Sequence, residues 1–184
     1  MAHCAAALRS DDSSQSSGLF QWIIDATGAL TIDGVGPEKR IDALNAQHLL
    51  KQFEINAVGP ALLIKHFSPL LATNERAVYA TLSARVGSIQ DNHKGGWYGY
   101  RAAKAARNML LQTASIELAR KRPLAVFAAL QPGTVQSRLS SPFVPASQAM
   151  APELSVSKLM AVLNGLPANG RAHFVDHAGQ EIPW

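Results

Sequence analysis

Disulfide bonding is excluded first: the chain holds one cysteine, Cys4, so no intrachain bridge can form, and a reducing, cytoplasmic setting is the expectation. No apolar run comes near the roughly 20 residues that a membrane-crossing helix needs, so no membrane partner is expected. The opening stretch Met-Ala-His-Cys-Ala-Ala-Ala-Leu-Arg-Ser lacks the basic leader and the longer apolar core of a signal peptide. Charge is sparse too. Only 16% of residues are Asp, Glu, Lys or Arg, and the cations behind the net charge of +4 are scattered, so the surface reads as solvated, with no nucleic-acid partner. The six His are dispersed and no spacing suits a metal ligand set, so no metal site is expected. No internal repeat is visible.

What is present is an apolar, regularly punctuated chain. Its 184 residues suffice for one domain with a real core. Residues 1–18 are the weakest segment: Asp11 to Gly18 is polar and turn-rich, so this part is expected to be a loop or disordered tail. From residue 19 onward, short apolar runs alternate with helical patterns. Strands are expected at 19–24, 77–82, 124–130 and 171–176. Helices are expected at 45–71, with a kink or break at Gly59-Pro60, at 100–120 and at 155–166. The run Leu124 to Leu130 is apolar throughout, as a parallel strand covered on both faces should be. The alternation predicts an α/β domain over 19–184 with a Rossmann-like, doubly wound parallel sheet. Ligands of such sheets sit beyond the carboxyl ends of the strands. The unusual residues cluster there: Thr27-Gly28 after the first strand, Ser83 after the second and Pro132-Gly133-Thr134 after the third.

One further spacing carries chemistry. Tyr100 precedes Lys104 by four residues at the start of an Ala-rich helix, so phenol and ammonium share a helix face. A free tyrosine, with a pKa near 10, transfers protons poorly at neutral pH. A cation about 4 Å away favours the phenolate by roughly 4 kcal/mol at an effective dielectric near 20, enough to bring it toward the working range. Alone, a Tyr-x-x-x-Lys pair is as readily a helix start with a solvated lysine.

Several stretches together resemble the short-chain dehydrogenase/reductase family, in its C-factor-like and sniffer-like carbonyl-reductase branch. They are Ala26-Thr27-Gly28, Pro37-Glu38-Lys39, Asn56-Ala-Val-Gly59-Pro60, Leu82 to Ile89, Gly95 to Lys104, and Pro132-Gly133-Thr134-Val135. The resemblance implies a hydride transfer between NAD or NADP and a small-molecule carbonyl or alcohol, in a homodimer or homotetramer. It implies that Tyr100 is the general acid/base and that Lys104 lowers its pKa and holds the nicotinamide ribose. Asn56 would hold a water of the proton relay. Ala26, Thr27 and Gly28 would line the adenosine side of the cofactor, and Pro132, Gly133, Thr134 and Val135 would contact the nicotinamide amide. Ser83, with Ser88 as the fallback, would polarise the substrate carbonyl; relatives often carry two serines in a row here, and this chain has Ser83 then Ala84. The loop 136–152 would cover the substrate, with Phe143 and Val144 as an apolar wall.

The resemblance also implies a front segment that the sequence lacks. The family opens on a strand and a Gly-rich turn whose backbone N–H groups receive the pyrophosphate. Here Gly18 and Gly28 stand alone. The expectation is therefore an N-terminally truncated Rossmann-like domain, its first βαβ units missing, its first strand an exposed edge and its cofactor binding weakened or lost. The alternatives are a non-catalytic signalling or interaction protein and an inactive fragment.

Overall fold

The computed structural model describes residues 1–10 and 20–184. Its elements, in chain order, are α1 (Ala2–Ser10), β1 (Trp22–Asp25), α2 (Ala46–Phe53), α3 (Gly59–Phe67), β2 (Ala77–Leu82), α4 (Tyr98–Ala119), β3 (Ala125–Gln131), α5 (Pro152–Gly165) and β4 (Ala172–Asp176). The four strands form one sheet in the order β1-β2-β3-β4. All three pairings are parallel, with Ile24 opposite Ala80, Ala80 opposite Ala128 and Ala128 opposite His173.

The apolar runs of β2, β3 and β4 are buried on both faces because these strands alternate between two cores. Tyr79, Phe127 and Phe174 point to one face, where Ile64 of α3 and Leu111 of α4 cover them. Val78, Val126, Leu130 and Val175 point to the other, against Leu159 and Leu163 of α5. The result is the expected parallel sheet between helical layers. Because the strands run in one direction, Asp25, Leu82, Gln131 and Asp176 all end on the same rim. Across that rim Arg85 donates its backbone N–H to the Gln131 amide oxygen (3.1 Å) and pairs its guanidinium with Asp176 at 3.3 Å.

Three expectations are corrected. Residues 2–10 are helical rather than a loose tail, because the run from Ala2 to Leu8 favours a helix and buries Ala5. The polar stretch 11–18 lies outside the described residues. The first strand spans 22–25, not 19–24; Phe20 forms an isolated bridge to Leu71 instead. The helix expected at 45–71 ends at Phe67, and its expected break falls just before Gly59-Pro60, at a π turn over Glu54–Val58. Gly59 donates back to Glu54 across this turn. Pro60 has no N–H to offer the Asn56 carbonyl, which is thereby left for another donor.

Candidate active site

The N-terminus of α4 is fixed by Glu38. Its carboxylate accepts the Gly99 N–H at 3.0 Å and its carbonyl accepts from Trp97, so two N–H groups of the helix start are satisfied and the helix dipole meets a negative charge. Gly99 is required by close approach: a Cβ there would lie 3.0 Å from a Glu38 oxygen and 3.1 Å from Leu49. Trp97, at φ 54°, turns the chain into the helix and lays its ring edge-on to Tyr100 with centroids 6.3 Å apart. Phe143 packs on the other side of Trp97 at 5.5 Å. The loop after β3 thus reaches the tyrosine through an aromatic bridge.

Down the buried stripe of α4 lie Tyr100, Ala103, Lys104, Arg107, Asn108 and Leu111, at the three- and four-residue spacings of one helix face. Lys104 is 3% exposed. Its ammonium donates to the Leu82 carbonyl at 3.0 Å and sits 5.5 Å from the centre of the Tyr100 ring. Burial pulls Lys104 down from its ordinary value of 10.5, and the Arg107 charge takes it further, to about 7. The unfolded chain holds that proton more tightly, so this group adds stability as pH rises from about 7 to 10.5. Burial pushes Tyr100 up to about 12, and the cation opposing that rise is Arg107.

Asn56 lies in the π turn and is fully buried. Its side chain clasps the backbone of Ala29, donating to the carbonyl at 2.8 Å and accepting the N–H at 3.0 Å, and it donates to Gln52 at 2.9 Å. Its own carbonyl, freed by Pro60, accepts from Arg107 Nε at 2.9 Å. The clasp sets Gly28 at φ 152°, where a Cβ would lie 3.1 Å from Asn56 Oδ1 and 3.3 Å from Lys104 Nζ. Gly28, Asn56, Lys104 and Tyr100 therefore converge on one part of the rim. Ala26 and Thr27 are exposed beside them and border a groove of ≈ 230 Å³ along β1 that Leu63 and Phe67 also line.

The serines do not join this cluster through their hydroxyls. Ser83, at the end of β2, is buried and donates to Asn108 Oδ1 at 2.6 Å, in the interface with α4. Ser88 accepts the Asp91 N–H at 3.0 Å. Pro132 to Val135 follow β3 on the same rim. The Pro132 carbonyl accepts from Ser155 at 2.8 Å, Gly133 adopts φ 81° under the His177 ring, Thr134 accepts from Met150, and Val135 bridges to Met150.

Sequence reasoning passed over Arg107, Asp25 and Gln52. The signal for Arg107 was available: it is a charge on the stripe that also carries Ala103 and Leu111, where an arginine is buried only when its N–H groups are satisfied. Among the described residues no group of His, Cys, Asp and Glu is placed to hold a metal ion, and no helix is long and apolar enough to cross a membrane.

A parallel sheet between helical layers defines a Rossmann-like architecture. No protein-family model matches the chain. It is 34% identical over 137 residues to the C-signal protein of Myxococcus xanthus, covering 74% of this chain and 78% of that protein. It is 31% identical over 162 residues to 1-hydroxy-2-glutathionyl-2-methyl-3-butene dehydrogenase of Rhodococcus sp. (strain AD45), covering 88% of this chain and 67% of the enzyme. The solved carbonyl reductase Sniffer of D. melanogaster superposes with a TM-score of 0.81 at 26% identity, over 99% of this chain and 72% of its own. The chain belongs to the short-chain dehydrogenase/reductase family of oxidoreductases. Structural neighbours of the same fold have been solved with NADP bound.

Proposed function

We propose that the rim at Tyr100 and Lys104 reduces a small-molecule carbonyl, or oxidises the corresponding alcohol, with NAD or NADP as the redox partner. The convergence of Gly28, Asn56, Lys104 and Tyr100 carries this reading. The residues fit the nicotinamide half of such a cofactor. Gly28 leaves a cradle that a Cβ would fill, the Lys104 ammonium retains N–H groups for ribose hydroxyls, and Pro132 to Val135 offer backbone groups beyond β3. When bound, the reduced nicotinamide supplies the hydride.

In the reducing direction the Tyr100 hydroxyl gives its proton to the substrate oxygen as the carbonyl carbon gains hydride. A tyrosine at about 12 is protonated at neutral pH and ready to donate. Lys104, titrating near 7, returns a proton to the phenolate. Polarisation of the carbonyl is assigned to Ser83, whose oxygen still accepts and can re-orient, with Ser88 the fallback. Phe143, seated on Trp97, forms the apolar wall on the substrate side, and the loop 136–152 covers the substrate. The phosphate side is thinner: the described residues hold no Gly-rich turn between strand and helix, so binding rests on the rim residues and is weak. A cytoplasmic setting accords with the single, exposed free cysteine.

Titration with NADH or NADPH up to about 1 mM, followed by tryptophan emission, tests this directly. Trp97 contacts Tyr100, so saturable quenching is expected. Unchanged emission with both nucleotides would sink the enzymatic reading for this chain. A two-fold assembly is also proposed, through Val58 and Leu62 on the α3 side and Met109, Leu110 and Ile116 on α4, which are 39–66% exposed. Light scattering should give a dimeric or tetrameric mass; a monomeric one contradicts that part.

A further inference from the structure

The most unusual group in the molecule is the Arg107 guanidinium. Its side chain is 0% exposed. Every face of its planar fork is used. Nε donates to the Asn56 carbonyl at 2.9 Å, Nη2 donates to the Thr27 carbonyl at 2.9 Å, and Nη1 donates to Thr81 Oγ1 at 3.1 Å and to the Leu82 carbonyl. Asp25 stands 3.9 Å from Nη2. It is held by the Thr81 hydroxyl at 2.8 Å and by Thr27 through its N–H at 2.8 Å and its hydroxyl at 2.6 Å. One side chain therefore joins the ends of β1 and β2 to the π turn, and it shares the Leu82 carbonyl with Lys104.

That position has two consequences. The Asn56 carbonyl, which Pro60 leaves without a helical donor, accepts from Arg107 instead. The fixed positive charge in the site also belongs to an arginine, which keeps its proton at any working pH. The charged and titratable groups facing this spot are Arg107, Lys104 and Tyr100 from α4, Asp25 from β1 and the Tyr79 hydroxyl from β2. We infer that Arg107 is the positioning residue of this site: it ties the β1 and β2 ends to the Asn56 carbonyl and stands as the permanent cation on the Leu82 carbonyl that it shares with Lys104, leaving the Lys104 amine to release and regain a proton. This rests on the proposed oxidoreductase reading and adds to it the division of labour between two cations.

The test reads the Lys104 proton without cofactor or turnover, so its failure is distinct from failure of the enzymatic reading. Lys104 is labelled competitively with acetic anhydride across pH and quantified by mass spectrometry. In the unchanged chain half-maximal labelling is expected near pH 7. Asp25→Asn keeps the acceptor for Thr27 and removes the anion, so the midpoint should fall. Arg107→Met removes the cation; the midpoint should rise, and labelling at pH 7 should drop about fivefold or more. Arg107→Lys retains charge but not the fork and should keep the low midpoint. A purely structural arginine would leave the Lys104 midpoint unmoved in Arg107→Met and in Arg107→Gln, which keeps an amide donor and loses the charge. That result, or a fall there, overturns the inference, and Arg107→Gln gives the reading if Arg107→Met fails to fold. A rise in Arg107→Lys as large as in Arg107→Met overturns it as well.

Discussion

Tyr100→Phe should lower turnover by about two to four orders of magnitude and leave nicotinamide binding within about twofold. The ring stays, and with it the edge-on contact to Trp97 and the Lys104 ammonium over its face. Only the hydroxyl is lost, and with it the proton that the substrate oxygen needs as the carbonyl carbon becomes tetrahedral. Folding should be unaffected, because no backbone group of the helix start depends on that oxygen: Glu38 and Trp97 fix the turn. A paired measurement of steady-state rate and tryptophan quenching separates the outcomes. Turnover retained in Tyr100→Phe removes the tyrosine from its role. Loss of binding along with turnover shows that the hydroxyl is needed to seat the nucleotide.

The second large effect is expected at Gly28. Ala there meets two obstacles. The φ of 152° is one that side chains rarely adopt, and the added Cβ lies 3.1 Å from Asn56 Oδ1 and 3.3 Å from Lys104 Nζ. Asn56 cannot yield, since it is fully buried and clasps Ala29 on both of its backbone groups. The strained backbone costs about 1–3 kcal/mol of stability. The displaced lysine costs the site its ribose donor, so affinity for NADH or NADPH should drop about tenfold or more. Thermal unfolding and the fluorescence titration read the two parts separately. An unchanged affinity in Gly28→Ala places the nucleotide away from this cradle.

Much of this arrangement was legible in the sequence. The run Leu124 to Leu130 is apolar throughout, and the structure covers both faces of the strand it forms. The spacing of Tyr100 and Lys104 placed them on one helix face, and they lie there. Gly28 and Pro132-Gly133 mark strand ends on one rim, as parallel strands require. Less legible were features that depend on neighbours distant in sequence. Residues 45–71 carry a continuous helical pattern, and Pro60 signals a break without saying that its missing N–H frees the carbonyl of Asn56, four residues earlier. The resemblance gives Ser83 the task of polarising the substrate carbonyl; the bond its hydroxyl makes to Asn108, buried on the opposing helix, depends on a residue 25 positions away. Arg107 looked like one more scattered cation. Its role depends on Asn56, Thr27, Thr81 and Leu82, which no local pattern brings together.

The central claim is that this rim passes hydride and proton to a carbonyl. It is tested most directly by isotope transfer. The chain is incubated with NADH or NADPH deuterated at the reactive C4 position and a panel of aromatic aldehydes and ketones, and the alcohols are analysed by mass spectrometry. The prediction is an alcohol carrying one deuterium on the former carbonyl carbon, formed by the unchanged chain and not by Tyr100→Phe. Absence of deuterated alcohol from the unchanged chain, at nucleotide levels that saturate its tryptophan quenching, would contradict it.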